Sequence, residues 1–244
     1  MSKIAVITGT SYGLGEAISK QLLAKNFKVY GISRSAPKIK NPQFVWIKAD
    51  LTNNQELSAI PAQISEAKID LLVNNAGHLF VKKTLAYTDT SFEKMFGLNF
   101  KAPVKMAVQL FPKLNNGLII NLSSDSDRYP DPDLALYGSS KAALNLFFET
   151  MAEENQNIKI INLLPTYIDT QLLRKFIGKE SFDWNQCLKP EQVAESIIYI
   201  LKNHKKVDSG SRIMLLKNDR QDGVYNPEKL WIYFPDNQRL KKVS

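Results

Sequence analysis

Short apolar runs that alternate with helical patterns constrain the fold of this chain more than any other feature. In one run Leu118, Ile119 and Ile120 follow one another, and similar runs rich in β-branched residues recur along most of the 244-residue sequence. A strand that is apolar without interruption is buried on both faces, as in a parallel sheet covered by helices. The runs predict seven strands, at residues 4–8, 28–32, 44–49, 69–73, 117–122, 159–164 and 213–216.

Helical patterns fill the intervals between these strands. Over residues 14–26 the apolar side chains recur at helical spacing, which predicts a βαβ unit with the first two strands. Thr52 and Gln55 have the spacing of a capping box, and another helix is predicted from Pro190 to about Lys202. Together these elements predict an α/β fold, with a Rossmann-like doubly wound parallel sheet of about seven strands and helices on both faces.

No linker, repeat or break in composition divides the chain, so residues 1–244 are predicted to form one domain. Two segments depart from the alternation. Residues 125–133 are dense in Asp and Pro, and the tail from residue 218 onward is rich in polar and aromatic residues. Both are candidates for loops over a site, and a solvated surface segment is an equal alternative for the tail.

The composition limits the partners and the compartment. The net charge of +8 could indicate a nucleic-acid binder, but the lysines are scattered and no basic stripe alternates with aromatics, so no nucleic acid is expected. No apolar run approaches the length of a membrane span, and neither a membrane partner nor a signal peptide is expected. With one cysteine, Cys187, and two histidines, no metal site is predicted. A single cysteine suits a reducing compartment, so a cytoplasmic location is expected.

A glycine-rich segment, Thr8-Gly9-Thr10-Ser11-Tyr12-Gly13-Leu14-Gly15, follows the first strand directly and opens the first helix. Glycines allow a tight turn and a close backbone approach, and the free N–H groups at a helix N-terminus favour phosphate. This context predicts a site for the pyrophosphate of a dinucleotide. After the second strand, Arg34 stands where an acid would bind a ribose hydroxyl, and its guanidinium suits a 2′-phosphate, so NADP(H) is favoured over NAD(H).

Tyr137 and Lys141 are four residues apart, so on a helix they share one face. Ser124 lies just beyond the apolar strand at 117–122, and Asn99 falls in a helical segment between the fourth and fifth strands. A phenol is a poor proton shuttle at neutral pH unless nearby positive charge stabilises its phenolate. Because Lys141 can supply such a charge, the pair predicts a general acid and its electrostatic partner.

Three motifs in order along the chain resemble the single-domain branch of the short-chain dehydrogenase/reductase family. They are the Thr-Gly-x-x-x-Gly-x-Gly segment at 8–15, Asn74-Asn75-Ala76-Gly77, and the Tyr-x-x-x-Lys pair at 137–141. The resemblance covers roughly residues 4–170. It implies that Asn99, Ser124, Tyr137 and Lys141 form the catalytic tetrad, with Asn99 supporting a water relay behind Lys141. The cofactor contacts that it implies, together with Arg34, are Gly9, Ser11, Tyr12, Gly13, Leu14, Gly15, Asp50, Leu51, Asn75, Ala76, Gly77, Tyr137, Lys141, Pro165, Ile168 and Thr170.

The implied function is an NADP(H)-dependent oxidoreductase that transfers hydride between nicotinamide and a small carbonyl or alcohol substrate, with Tyr137 as general acid/base. The alternative is a catalytically silent NADP(H)-sensing regulator with the same fold. A homodimer or homotetramer is expected. Residues 171–183 are predicted to cover the substrate with an apolar inner wall, although core or oligomer packing is an equal use of their apolar side chains. Thr166 stands where relatives carry glycine, which questions whether the local backbone is the same.

Four aspartates, Asp125, Asp127, Asp131 and Asp133, lie between Ser124 and Tyr137. In the family this segment borders the substrate pocket, so one or two of these carboxylates are candidates to face a cationic or hydroxyl-rich ligand. The alternative is a solvated loop in which the aspartates cap turns beside the prolines.

Overall fold

A computed structural model describes residues 2–177, 182–217 and 230–242 of the chain. Its central feature is one sheet of nine strands in the order β3-β2-β1-β4-β5-β6-β7-β8-β9. Neighbouring strands are parallel except for the last pair, which is antiparallel. The strands are β1 Ile4–Thr8, β2 Lys28–Ser33, β3 Phe44–Lys48, β4 Leu71–Asn74, β5 Leu118–Leu122, β6 Lys159–Pro165, β7 Ser211–Leu215, β8 Leu230–Phe234 and β9 Arg239–Lys242.

The described helices occupy the intervals between strands. The α-helices are α1 Leu14–Leu23, α2 Asn54–Ser58, α3 Asp89–Phe96, α4 Ala102–Leu110, α5 Ala135–Glu154, α6 Gln171–Phe176 and α7 Pro190–Asn203, and a π-helical turn, Gly97–Lys101, joins α3 to α4. Short 3₁₀ helices lie at Pro61–Gln63, Thr84–Ala86, Phe111–Lys113, Asp125–Asp127, Trp184–Gln186, His204–Lys206 and Pro235–Asn237.

Two apolar cores lie on opposite faces of the sheet. Along β1, Ala5 and Ile7 belong to the core that includes α1 and α7, whereas Ile4 and Val6 belong to the core that includes α4 and α5. Successive side chains of a strand point to opposite faces, so a strand covered on both sides must be apolar at every position. The predicted α/β, doubly wound architecture is therefore confirmed.

The sheet has nine described strands because part of the tail continues it. β8 pairs in parallel with β7, and Ile232, Tyr233 and Phe234 of β8 are buried. The interpretation of the tail as a loop over a site is wrong for residues 230–242, whose run of large apolar residues is typical of a strand. Residues 218–229, 243 and 244, which also belong to the predicted tail, lie outside the described residues.

Two helix starts allow the capping predictions to be checked. α7 begins at Pro190 and ends at Asn203, as predicted within one residue. The capping box at Thr52 is wrong, because the N-cap of α2 is Asn53, whose side-chain oxygen accepts from the amide of Gln55 at 2.9 Å. The Thr52 hydroxyl instead donates to Asp50 at 2.7 Å. Within the described ranges, no helix combines the length and the apolar character of a membrane span.

Candidate active site

A cavity of about 350 Å³ opens at the carboxyl edge of the sheet. β1 and β4 are neighbours at the centre of the sheet, and the chain runs outward from them in opposite directions. Such a reversal of strand order leaves a crevice beyond the strand ends, where open α/β sheets bind ligands. Every site residue predicted from the sequence lines this cavity except Asn99.

The glycine-rich turn forms one wall of the cavity. Gly9 and Gly13 have φ of 76° and 66°, which favour glycine. A Cβ at Gly15 would lie 2.1 Å from the Gly9 carbonyl oxygen, so no larger residue fits there. Gly13 is the N-cap of α1 and has no side chain to accept from the first amides of that helix. Gly13, Leu14 and Gly15 line the cavity, so the uncapped N-terminus of α1 offers hydrogen-bond donors there that fit a pyrophosphate.

The second motif supports the glycine-rich turn from below. The side-chain amide of Asn75 donates to the carbonyl oxygens of Thr8 at 2.8 Å and Gly9 at 3.2 Å. The Thr8 hydroxyl accepts from the amides of Asn75 and Ala76, both at 3.0 Å. The two motifs are therefore one hydrogen-bonded unit, although about 65 residues separate them.

Asn74 connects β4 to the neighbouring strands through side-chain hydrogen bonds. Its side-chain amide donates to Asn121 of β5 at 2.8 Å, and Asn121 donates to Asn162 of β6 at 2.9 Å. The three residues are direct neighbours in register across β4, β5 and β6. Sequence reasoning did not single out Asn121 or Asn162, although an asparagine within an apolar strand is itself a signal that a buried amide has a partner.

Arg34 and Asp50 mark the far end of the cavity. The Arg34 side chain is 76% exposed, and its guanidinium lies 4.0 Å from the Asp50 carboxylate. Burial raises the pKa of Asp50, but hydrogen bonds from Thr52 and the charge of Arg34 outweigh burial and lower this pKa overall. Asp50 is thus a fixed anion beside a guanidinium that keeps most of its surface free for another ligand.

Ser124, Tyr137 and Lys141 meet at the other end of the cavity. Tyr137 and Lys141 lie one turn apart on α5, with the Lys141 ammonium 5.7 Å from the centre of the Tyr137 ring. Ser124 follows β5 and hydrogen-bonds the Tyr137 side chain. The Lys141 ammonium donates to the Leu122 carbonyl oxygen at 2.7 Å.

Burial shifts the ionisation of both α5 side chains. It raises the pKa of Tyr137 to about 12, and the carboxylates of Asp125 and Asp131 add to this rise while the Ser124 hydrogen bond opposes it. Burial also lowers the pKa of Lys141 to about 8. At neutral pH a protonated phenol therefore lies beside an ammonium that is still mostly charged, and burial, rather than Lys141, dominates the pKa of Tyr137.

Asn99 lies behind these groups, in the π-helical turn Gly97–Lys101. Its side chain accepts from the His78 amide at 2.7 Å and donates to the His78 carbonyl oxygen at 2.9 Å and the Ser140 hydroxyl at 3.1 Å. Ser140 in turn donates to the Tyr137 carbonyl oxygen at 2.7 Å. The described geometry therefore makes Asn99 a brace between the segment after β4 and the first turns of α5, and π turns of this kind are frequent at functional sites.

The segment after β6 closes the cavity. The backbone at Thr166 is not left-handed, and its amide and hydroxyl both hydrogen-bond the Leu215 carbonyl oxygen at 3.2 and 3.3 Å. No glycine is required at a position that continues the pairing with β7. Thr170 is the N-cap of α6 and accepts from the Leu173 amide at 3.3 Å.

The predicted cover over residues 171–183 is described only in part, because residues 178–181 lie outside the described residues. Leu172 and Leu173 of α6 line the cavity and form an apolar wall. Phe182 instead packs between Tyr167 and Trp184, with ring centres 5.0 Å apart in each case. In this segment Leu172 and Leu173 therefore form part of the cavity wall, whereas Phe182 packs against other aromatic side chains.

The four aspartates after Ser124 have four different environments. Asp125 is the one of the four that lines the cavity, and Asp127 forms an ion pair with Arg212 at 2.6 Å. Asp131 accepts from the Ser126 hydroxyl at 2.8 Å, and Asp133 lies 3.3 Å from Lys83. The segment is therefore not a uniformly solvated loop.

The apolar lining residues Leu79, Leu98, Leu122 and Leu134 were not predicted, because apolar residues near strand ends look like core in the sequence.

Comparison with known proteins agrees with this geometry. Residues 3–181 match the short chain dehydrogenase family. The chain is 32% identical over 202 residues to an uncharacterized oxidoreductase of Saccharomyces cerevisiae, covering 76% of this chain and 80% of the relative. The crystal structure of a short-chain dehydrogenase/reductase from the same yeast superposes with a TM-score of 0.77 at 27% identity, over 87% of this chain and 96% of that one.

A second solved structure is similar over the same extent. The crystal structure of a 3-ketoacyl-(acyl-carrier-protein) reductase from Brucella melitensis complexed with NADH has a TM-score of 0.78 and 25% identity, over 87% of this chain and 96% of that chain. The family match spans most of the chain, and the curated relative exceeds 30% identity over three quarters of it. The chain therefore belongs to the short-chain dehydrogenase family of oxidoreductases.

Proposed function

We propose that this protein reduces a small carbonyl compound with NADPH, using Tyr137 as the proton donor. The observation that carries the proposal is the meeting of Ser124, Tyr137 and Lys141 in one cavity with the glycine-rich turn. A cofactor-sensing regulator, the alternative function, would not need these three side chains to converge.

The residues of the cavity fit a nicotinamide dinucleotide. The amides at the start of α1 and the glycine-rich turn would hold the pyrophosphate, and Asp50 would face the adenine. Arg34 supports NADP(H) over NAD(H), because a planar, exposed guanidinium suits a 2′-phosphate. Lys141 would hold ribose hydroxyls, and Thr170 with Pro165 and Ile168 would border the nicotinamide. When bound, the reduced nicotinamide supplies a hydride.

The chain's own residues then handle the carbonyl oxygen. The Ser124 hydroxyl orients and polarises this oxygen, and the Tyr137 hydroxyl donates a proton to it. Because the phenol of Tyr137 has a pKa of about 12, it is protonated at neutral pH and ready to donate. The Lys141 ammonium stabilises the phenolate that remains, and Asn99 holds the start of α5 in place through Ser140.

The proposal extends to the assembly and the location. Val108 of α4 and Leu146 of α5 are 57% and 64% exposed, which supports self-association of the chain as a homodimer or homotetramer. The single cysteine supports a cytoplasmic location.

The test is NADPH oxidation against a panel of ketones, aldehydes, quinones and pterins, followed by Tyr137→Phe. This variant keeps the ring and removes the transferable proton, so kcat is expected to fall by about 10² to 10⁴ while NADPH binding persists. Tyr87→Phe, which removes a phenol bonded to the Asp133 carbonyl oxygen outside the cavity, serves as the matched control. Near-normal turnover by Tyr137→Phe would contradict the mechanism.

A further inference from the structure

The hydroxyl of Ser124 has a partner for each of its hydrogen-bonding positions. It accepts from the Ser126 amide at 3.2 Å, it shares a hydrogen bond with Tyr137, and it donates to the Asp125 carboxylate at 3.1 Å. A serine hydroxyl has one hydrogen and two lone pairs. A carboxylate can only accept, so Asp125 takes the single hydrogen of Ser124, and the protonated phenol of Tyr137 can then donate to a serine lone pair.

This arrangement conflicts with the task of Ser124 in carbonyl reduction. A carbonyl oxygen accepts hydrogen bonds and donates none, so Ser124 can polarise it only with the hydrogen that Asp125 now receives. Diverting that hydrogen removes one donor from the half-buried Asp125 carboxylate, which then keeps the backbone hydrogen bonds from its own amide and from that of Ser126. A plain ketone therefore has to compete with Asp125 for Ser124.

The charge of Asp125 and the apolar side chains of the cavity both favour Asp125 as the acceptor of the Ser124 hydrogen. Burial raises the pKa of Asp125 to about 6, and the Asp131 carboxylate adds to the rise, so much of Asp125 is ionised at neutral pH. The neighbouring wall of the cavity includes Leu134, Leu172 and Leu173, which donate no side-chain hydrogen bonds. A hydroxyl or amine on a bound ligand can supply a replacement donor for Asp125.

We propose that the substrate carries a hydroxyl or amine on the carbon next to its carbonyl group, and that this donor binds Asp125 and releases the Ser124 hydrogen for the carbonyl oxygen. The inference rests on the proposed function. Oxygens on adjacent carbons are separated by roughly the spacing of hydrogen-bonded atoms, which is also the spacing of the Ser124 and Asp125 oxygens. One ligand can therefore contact both side chains.

The reaction balances as an ordinary carbonyl reduction. The hydride of NADPH forms a C–H bond at the carbonyl carbon, the C=O π bond breaks, and the Tyr137 proton forms the new O–H bond. The ketone is reduced to a vicinal diol or amino alcohol and NADPH is oxidised to NADP⁺. Asp125 is a specificity-determining residue in this scheme, because it binds the substrate next to the reacting group.

The experiment compares kcat/KM for matched ketones that differ by one hydroxyl. Hydroxyacetone is paired with 2-butanone, and 2-hydroxyacetophenone with propiophenone, so that a hydroxyl replaces a methyl group of similar size. The wild-type enzyme is expected to prefer the hydroxyketone by at least about tenfold, the equivalent of one hydrogen bond of about 1.4 kcal/mol to a charged group. In Asp125→Ala the preference is expected to fall close to one, because the plain ketone now receives the Ser124 hydrogen without competition.

Control variants separate specificity from damage to the fold. Asp125→Asn keeps a hydrogen-bond acceptor without the charge and is expected to retain part of the preference. Asp133→Asn removes a carboxylate of the same segment that pairs with Lys83 and does not line the cavity, and its preference is expected to match that of the wild type. NADPH binding by each variant, measured by fluorescence, reports whether the cofactor site is intact.

The outcomes distinguish this inference from the proposed function. If the wild-type enzyme reduces both members of a pair equally well, or if Asp125→Ala keeps the full preference, the inference is wrong and the reductase proposal stands. If the wild-type enzyme reduces neither ketone but reduces an aldehyde or quinone without a neighbouring donor, the inference is again wrong. If no carbonyl compound is reduced at all, both proposals are wrong.

Discussion

At the scale of single residues, the buried ammonium of Lys141 lowers the stability of the folded protein. The side chain is 5% exposed, and burial lowers its pKa from 10.5 to about 8. Between these two pH values the unfolded chain binds the proton and the folded chain does not, so this group makes the protein more stable as pH rises. Below about pH 8 its full penalty is present, on the order of 3 kcal/mol.

Lys141→Met is therefore expected to stabilise the protein while it abolishes reductase activity. The gain in free energy of unfolding at pH 7 is expected to be about 1 to 3 kcal/mol, since the lost hydrogen bond to Leu122 offsets part of the removed penalty. Urea denaturation at pH 7 and pH 10 measures it, and the gain should be smaller at pH 10. A variant less stable than the wild type at pH 7 would show that the ammonium is not a net cost.

Arg34 is expected to determine the choice between the two cofactors. A charge-assisted contact to the 2′-phosphate contributes about 1.5 to 3 kcal/mol, so Arg34→Ala should weaken NADPH binding by roughly ten- to hundredfold and leave NADH binding unchanged. Fluorescence titration with each cofactor measures the two affinities. Lys25→Ala, an exposed position just beyond the far end of α1, is the control. An unchanged ratio of the two affinities in Arg34→Ala would remove the basis for NADP(H) preference.

At the scale of elements, one ion cluster joins β7, α5 and the 3₁₀ turn that follows Ser124. The Arg212 guanidinium of β7 pairs with Asp127 at 2.6 Å and with both carboxylate oxygens of Glu149 on α5. The Asp127 side chain is fully buried and also accepts from Asn145 of α5 at 2.8 Å. Because Asp127 and Ser124 belong to the same turn, the cluster fixes the turn that presents Ser124 to α5.

Breaking this cluster from one side is expected to be costly. Arg212→Met leaves the Asp127 carboxylate buried without its main counter-ion, and the free energy of unfolding should fall by about 3 to 5 kcal/mol in urea denaturation. Arg174→Met, which breaks an exposed ion pair with Asp169, should cost less than about 1 kcal/mol. Adding Asp127→Asn to Arg212→Met should recover part of the loss. If the Arg212 and Arg174 variants lose the same small amount, the cluster does not stabilise the turn.

At the scale of the whole molecule, β8 and β9 extend the sheet beyond β7. Ile232 and Phe234 of β8 share a small buried core with Leu164, Met214 and Leu216, and the Tyr233 ring packs on Tyr199 of α7 at 4.8 Å. β8 also covers the edge of β7, and a long exposed apolar edge is a route to aggregation. β8 therefore shields the edge of β7 from other chains, on the side of the sheet where β6 leads into the cavity.

Ile232→Ala is expected to lower the free energy of unfolding by about 2 to 5 kcal/mol, because it leaves a cavity in this core.

Ending the chain after Lys217 should have a larger effect and yield protein that aggregates at concentrations where the full chain does not. Differential scanning calorimetry and light scattering measure the two effects. Lys241→Ala, exposed on β9, is the control and should behave as wild type. A truncated chain with the melting temperature of the full chain would contradict this role of β8.

The sequence by itself determined the α/β architecture and the motif residues that line the cavity, from the glycines after β1 to Tyr137 and Lys141. These features are local: burial on both faces produces an uninterrupted apolar run, and a turn that needs glycine or a helix face that needs Tyr and Lys is encoded within a few residues. Pattern alone also misplaced the start of α2 by one residue and classed residues 230–242 with a loop, because a cap and a solitary apolar run depend on their neighbours.

Only the tertiary structure decided how the aspartates after Ser124 divide their roles. Asp127 meets Arg212 across 85 residues of sequence, and Arg212 meets Glu149 across 63, so no periodicity relates these partners. Asp125 differs from Asp131 because of what surrounds each carboxylate, since identical side chains acquire different charge and access from burial and neighbouring dipoles. The wall of the cavity follows the same principle, because an apolar side chain at a strand end becomes core or lining according to which other segments pack beside it.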